Sequence, residues 1–290
     1  MAVDEEARAL RRTHFAAAVL YTMNGVVFII VLSLQPVQGY PACVSTYTRS
    51  AGITTHCAYP PPSAVSTGFL GLLAVCHGLL ALFFGPYWAA LQQRTSWWRP
   101  VFFGLAVGLM VAQVSLSASV ANVWALVLVS ACACAFHVIV CWRFERENML
   151  AGAPSADSAA AAGTAPLVQR GGPGRPRDER KTRGRSQAQW QMWLLVLLSL
   201  LPAIVQVCWQ PSETEGWVWA LVFMCVFFSS LQPFLHAFQF SYGLFQAPKH
   251  TSSSLSPGVQ RFVSGEHLWV WFLFLWTSSE SLLVLLGSLQ

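Results

Sequence analysis

Seven runs of mostly apolar residues, each close to the thickness of a bilayer's hydrocarbon core when coiled as a helix, dictate what this chain folds into. They fall at 14–34, 64–90, 100–117, 121–142, 190–209, 216–246 and 267–289, and a helix needs about 20 such residues to cross. With 55% hydrophobic and only 10% charged residues, the chain has too few polar side chains to cover 290 residues of soluble protein. The expected fold is all-α, a single seven-helix transmembrane domain over 1–290.

Charge fixes the expected orientation. Sixteen of the seventeen Lys and Arg residues lie in segments on one side of these runs, and Arg49 alone lies on the other. Positively charged short loops stay on the cytoplasmic side. Arg8, Arg11 and Arg12 precede the first run, Arg94 and Arg99 join the second to the third, and Lys249 and Arg261 join the sixth to the seventh. Nine more lie between Arg143 and Arg185. The N-terminus is therefore expected inside and, with an odd count, the C-terminus outside. The basic flank and apolar stretch of residues 1–34 also resemble a secretory signal, but the stretch is too long for a signal core and lacks a small-residue cleavage site. A retained first helix is expected.

Two stretches read as extramembrane. Residues 144–189 combine Ala-rich, Pro/Gly-rich and basic sequence with almost nothing apolar to bury, the pattern of a disordered basic inner loop. Residues 35–63 form an outer loop whose Thr and Tyr density suits a hairpin. Cys43 and Cys57 are the only outer cysteines, in an oxidising compartment, and are expected to form a disulfide. The other six fall within runs, where cysteine is a small packing residue. Cys132 and Cys134 are no metal pair, because adjacent-but-one positions on a helix point about 200° apart.

Ionisable groups inside a membrane are costly, so they are the first candidates for function. Glu280 is the only carboxylate within a run, and His77, His137 and His236 are the imidazoles expected at depth. Thr277, Glu280, Ser281 and Val284 share one helical face. Glu280 could line a polar cavity, or sit protonated and hydrogen-bonded to a neighbouring helix. His137 and His236 lie nearer the inner ends of their runs and suit interfacial roles. Gly104 and Gly108 make a GxxxG pair that permits close helix contact. The tryptophans near run ends read as interfacial anchors. No HExxH, GxSxG, P-loop or CxxC pair occurs, so an enzyme is not expected, and neither are a metal, a cofactor or nucleic acid.

Several segments carry a family resemblance. Leu10-Arg11-Arg12 before the first run, Cys76-His77-Gly78-Leu79-Leu80 in the second, Trp98 to Met110 in the third and Gly265-Glu266-His267 at the entry to the seventh resemble the heliorhodopsins, the inverted branch of microbial rhodopsins. The resemblance implies a rhodopsin-like bundle, a homodimer, and a polar pocket on the inner side of a retinal site. His77 matches that pocket's second-helix histidine, and the first-helix histidine falls near Tyr21. The lysine that binds retinal falls at Thr277, and the counterion glutamate at Phe102. The chain's only lysines, Lys181 and Lys249, lie outside every run, so no Schiff base can form within the bundle. A candidate pocket of Tyr21, His77, Thr277 and Glu280 remains.

Three functions follow as expectations. The first is a retinal-free, heliorhodopsin-like protein that signals or scaffolds from the bilayer through a cytoplasmic partner. The second is a proton or ion pathway through Glu280, Thr277 and His77. The third is noncovalent binding of a retinoid or lipid in the aromatic pocket.

Overall fold

The computed structural model describes residues 2–34, 39, 41–48, 52–92, 97–151, 191, 194, 198–209, 214–241 and 257–288. They are mostly helical: α1 (Ala2–Leu34), α2 (Pro62–Leu82), α3 (Phe84–Gln92), α4 (Trp98–Ser117), α5 (Val123–Ala151), α6 (Leu198–Trp209), α7 (Gly216–Ser241) and α8 (Pro257–Ser288). A hairpin of β1 (Ala42–Thr48) and β2 (Gly52–Ala58) follows α1. Four helices are long and apolar enough to cross a membrane, over Glu5–Leu34, Ser63–Leu82, Pro100–Ser117 and Gly265–Gly287. Shorter apolar helices cover Val123–Ile139, Leu198–Trp209 and Gly216–Gln232.

Periodicity explains how these helices associate. Along α1 the residues Leu10, His14, Ala17, Tyr21 and Phe28 are buried, a stripe at three- and four-residue spacing that turns one face inward. Its opposite face, Phe15, Val19, Met23, Val26 and Ile30, is apolar yet exposed. A helix that is apolar on its outer face is built for lipid, not water. The same division recurs on α8, where Trp269, Leu273, Trp276, Thr277, Glu280 and Val284 are buried while Trp271, Leu275, Leu282 and Leu286 are exposed. Helix α1 packs on α2 and α8, α2 on α4, and α7 on α8. The central hydrophobic core draws on α1, α2, α4, α5, α6, α7 and α8, and a smaller cluster gathers Leu10, Leu80, Phe84, Tyr87, Leu91 and Val263.

The GxxxG pair lies at the α4–α5 contact. A methyl added at Gly104 would lie 2.6 Å from Val138 Cγ2 and 2.8 Å from the Cys134 carbonyl, and one at Gly108 would lie 2.9 Å from the Ser130 carbonyl. Only glycine admits backbones this close.

The hairpin takes the expected form. Cys43 pairs with Cys57 in antiparallel register, and a disulfide joins them. Its edge is tied to the bundle where Cys43 N–H donates to the Ala121 carbonyl at 2.5 Å. Asn122 then opens α5, its Oδ1 accepting the Ala125 N–H at 3.1 Å.

Three boundaries differ from those expected. The second run is not one helix: α2 stops at Leu82, and α3 starts at Phe84. Pro86 is the physical reason, because it has no N–H to give the Leu82 carbonyl and its ring crowds that oxygen. Helix α5 continues to Ala151, so the first residues of the 144–189 stretch are helical and not loop; residues 152–189 lie outside the described residues. Helices α1 and α8 both begin well before their apolar runs. Arg8, Arg11 and Arg12 thus ride on a helix instead of a tail.

Candidate functional site

Helices α1, α2 and α8 bring three of the expected site residues together. Tyr21 of α1 stacks on His77 of α2, with ring centroids 5.6 Å apart and planes 9° from parallel. The Thr277 hydroxyl of α8 lies 3.3 Å from the Tyr21 hydroxyl and 2.8 Å from the Leu273 carbonyl. That hydroxyl is placed to donate to either acceptor, the Tyr21 hydroxyl oxygen or the Leu273 carbonyl that helical Thr commonly takes, and its single proton serves one of them at a time. Tyr21 and Thr277 are both fully buried.

His14 extends the group inward. Its Nδ1 lies 2.9 Å from His77 Nδ1, and the two rings stack at 5.2 Å. One imidazole must donate and the other accept, so the pair shares one proton between its facing nitrogens. Tyr87 of α3 meets His14 edge-on at 5.5 Å. His14 Nε2 is buried without a hydrogen-bond partner. Hydropathy does not rank His14 among the deep imidazoles, because it opens the first apolar run. Its place in the inward stripe with Ala17 and Tyr21 is the signal that identifies it. Beside it in the chain, Thr13 Oγ1 lies 2.6 Å from His267 Nδ1 of α8.

Glu280 does not join this group. Its Oε1 accepts the Trp276 indole N–H at 3.0 Å, and Cys225 of α7 lies beside the same carboxyl. Oε2 has no hydrogen-bond partner. Although Thr277 and Glu280 share a face by spacing, Thr277 meets α1 while Glu280 meets α7. Among the described residues Glu280 has no ion-pair partner, and a buried carboxylate without a cation carries a large desolvation cost. The arrangement suits the neutral acid, with one oxygen accepting and the other holding the proton.

Between the two sits an aromatic block. Trp276 is fully enclosed, stacked on Phe228 at 5.9 Å and flanked by Phe272 at 5.9 Å and Phe103 at 6.4 Å. Phe102 lies outside that block. It packs against the smaller cluster, its ring 5.8 Å from Trp98. Phe102 is thus part of a hydrophobic seam, and its neighbour Phe103 is the one that faces the core.

His137 is buried and bridges α5 to α7: its Nε2 lies 3.0 Å from the Gln232 side-chain amide and its Nδ1 3.2 Å from the Ala133 carbonyl. With the amide NH₂ turned to Nε2, a neutral imidazole satisfies both contacts. It locks two helices, which corrects the interfacial role expected for it. The His236 side chain lies outside the described residues. Other buried polar groups carry no signal in the sequence. Glu266, in the N-terminal half of α8, is 3% exposed. Gln113, in the C-terminal half of α4, is fully buried with neither amide atom hydrogen-bonded.

Fold and site together show a mostly helical protein, with four helices apolar and long enough for a multi-pass membrane protein, a polar junction of α1, α2 and α8, and an aromatic block beside it. Scanned against known protein families and against curated proteins, the chain matches none. Among the described residues no cluster of metal-ligating side chains occurs.

Proposed function

We propose that this is a seven-span membrane protein with its N-terminus inside and C-terminus outside, built on a heliorhodopsin-like frame that no longer holds retinal, and that it scaffolds or signals through a cytoplasmic partner. The carrying observation is the Tyr21–His77–Thr277 junction. Residues that match the family's chromophore pocket meet in space, yet the lysine position holds a threonine tied to Tyr21 and to its own helix. Supporting it, an apolar helix overlaps each of the seven runs, four of them long enough to cross a membrane, and sixteen of seventeen cations lie on one side of the runs. The enclosed Trp276 block favours a packed role over a ligand pocket. The basic inner segments, including 152–189, are the surfaces offered to the partner.

Purified protein incubated with all-trans retinal is expected to show no visible absorbance band that survives washing. A persistent band would overturn the retinal-free reading. The proton-pathway alternative requires continuity from His77 to Glu280, and the Trp276 ring separates the groups that would have to exchange protons. Reconstituted vesicles should show no pH change that disappears in Glu280→Gln.

A further inference from the structure

At the inner rim of the bundle, α1 and the end of α2 enclose a groove of about 380 Å³ lined by Arg8, Arg11, Arg12, Phe15, Ala81 and Leu82. The α1 residues stand at i, i+3, i+4 and i+7, so three guanidiniums and one aromatic ring share a single stripe. Arg11 is already committed, its Nε donating to the Ala81 carbonyl at 2.9 Å. That contact caps the carbonyl end of α2, where the helix dipole favours a cation. Arg8 and Arg12 stand one turn apart on that face and are both exposed, so their guanidiniums can converge on one anion.

The groove is not polar throughout. Phe15 is 63% exposed and Leu82 72% exposed, and Phe15 begins the lipid-facing stripe that continues through Val19 and Met23. A small free anion has no use for that wall. A molecule with a phosphate at one end and an acyl chain at the other fits both halves. Arg is suited to the phosphate, because its planar fork can bond two oxygens at once.

We propose that this groove is a binding site for an anionic glycerophospholipid, with its phosphate between Arg8 and Arg12 and one acyl chain along Phe15 and Leu82. The site rests on the reading that α1 spans the bilayer with its first turns at headgroup level. It does not depend on which leaflet that is. By docking a lipid across the α1–α2 contact, it would hold α1 in register against the polar junction above.

The test reconstitutes the full chain in vesicles of phosphatidylcholine mixed with phosphatidylserine, then counts the lipids that remain bound by native mass spectrometry. Wild type is expected to retain phosphatidylserine in preference to phosphatidylcholine. The Arg8→Gln/Arg12→Gln double variant should lose about fivefold of that preference for each arginine removed. Arg8→Lys/Arg12→Lys, which keeps the charge and the orientation signal, should keep most of it, and formation of the Cys43–Cys57 disulfide reports that each variant has folded. Equal retention in wild type and the Gln variant would overturn the site. So would a preference that disappears instead with Arg175→Gln/Arg177→Gln in the insert, or full displacement by inorganic phosphate, which would mark a free-anion site. Because the vesicles carry the same lipids in both leaflets, an inverted topology would leave this readout intact.

Discussion

In the proposed orientation, two parts of this bundle treat buried polarity differently. From the inner side to mid-bundle, Thr13 meets His267, His14 meets His77, His77 stacks on Tyr21 and Tyr21 meets Thr277, so helices α1, α2 and α8 are joined by side-chain contacts, although His14 Nε2 itself has no hydrogen-bond partner. Toward the outer side Gln113, Ser115 and Ser117 on α4, and Ser281 and one oxygen of Glu280 on α8, are buried without partners. The first set makes contacts that fix how the helices meet. The second carries desolvation cost with less return.

Removing the aromatic block between the two sets should have the largest effect. Trp276→Ala empties the space among Phe103, Phe228 and Phe272 and also strips Glu280 of its donor, and should cost about 3–5 kcal/mol, read as a lower unfolding temperature in detergent. A loss below about 1 kcal/mol would mean that the block is not close-packed.

Next comes the inner junction. His77→Leu leaves His14 Nδ1 without its partner and should cost about 1–3 kcal/mol. The double variant His14→Leu/His77→Leu should recover part of that loss, because no orphaned nitrogen remains. Additive losses would show that the two rings do not act as a pair.

The outer set predicts the reverse sign. Gln113→Leu removes an amide with no partner from a fully buried position, and should stabilise the protein by about 1–3 kcal/mol. A destabilisation would place a hydrogen-bonding partner there and erase the contrast between the two sets. The smallest effect belongs to Thr277→Val, which keeps the shape and loses the contact with Tyr21, at about 0.5–1.5 kcal/mol by thermal unfolding.

How much of this was legible in the sequence depends on which physical rule was at work. The helices were, because hydrocarbon demands runs of a set length and composition, and the hairpin was, because two outer cysteines leave one pairing. The end of α2 was not foreseen: a 64–90 run looks continuous by hydropathy, and the break depends on what Pro86 does to one carbonyl. Tyr21, His77 and Thr277 were legible as a group only through the family resemblance, since nothing in spacing relates three positions on three helices. Glu280 was placed with Thr277 because they share a face, but a helix face is wide enough to touch two neighbours, and here α1 takes one residue while α7 takes the other. His14 was overlooked because hydropathy places it at an edge, where burial is decided by the neighbouring α2 and α3.

Accessibility of tags in intact cells tests the proposed inverted seven-span frame most directly. Tags at the N-terminus and within 152–189 should be labelled only after permeabilisation, whereas tags at the C-terminus and within residues 49–51 should be labelled on intact cells. An N-terminal tag labelled without permeabilisation would contradict the frame.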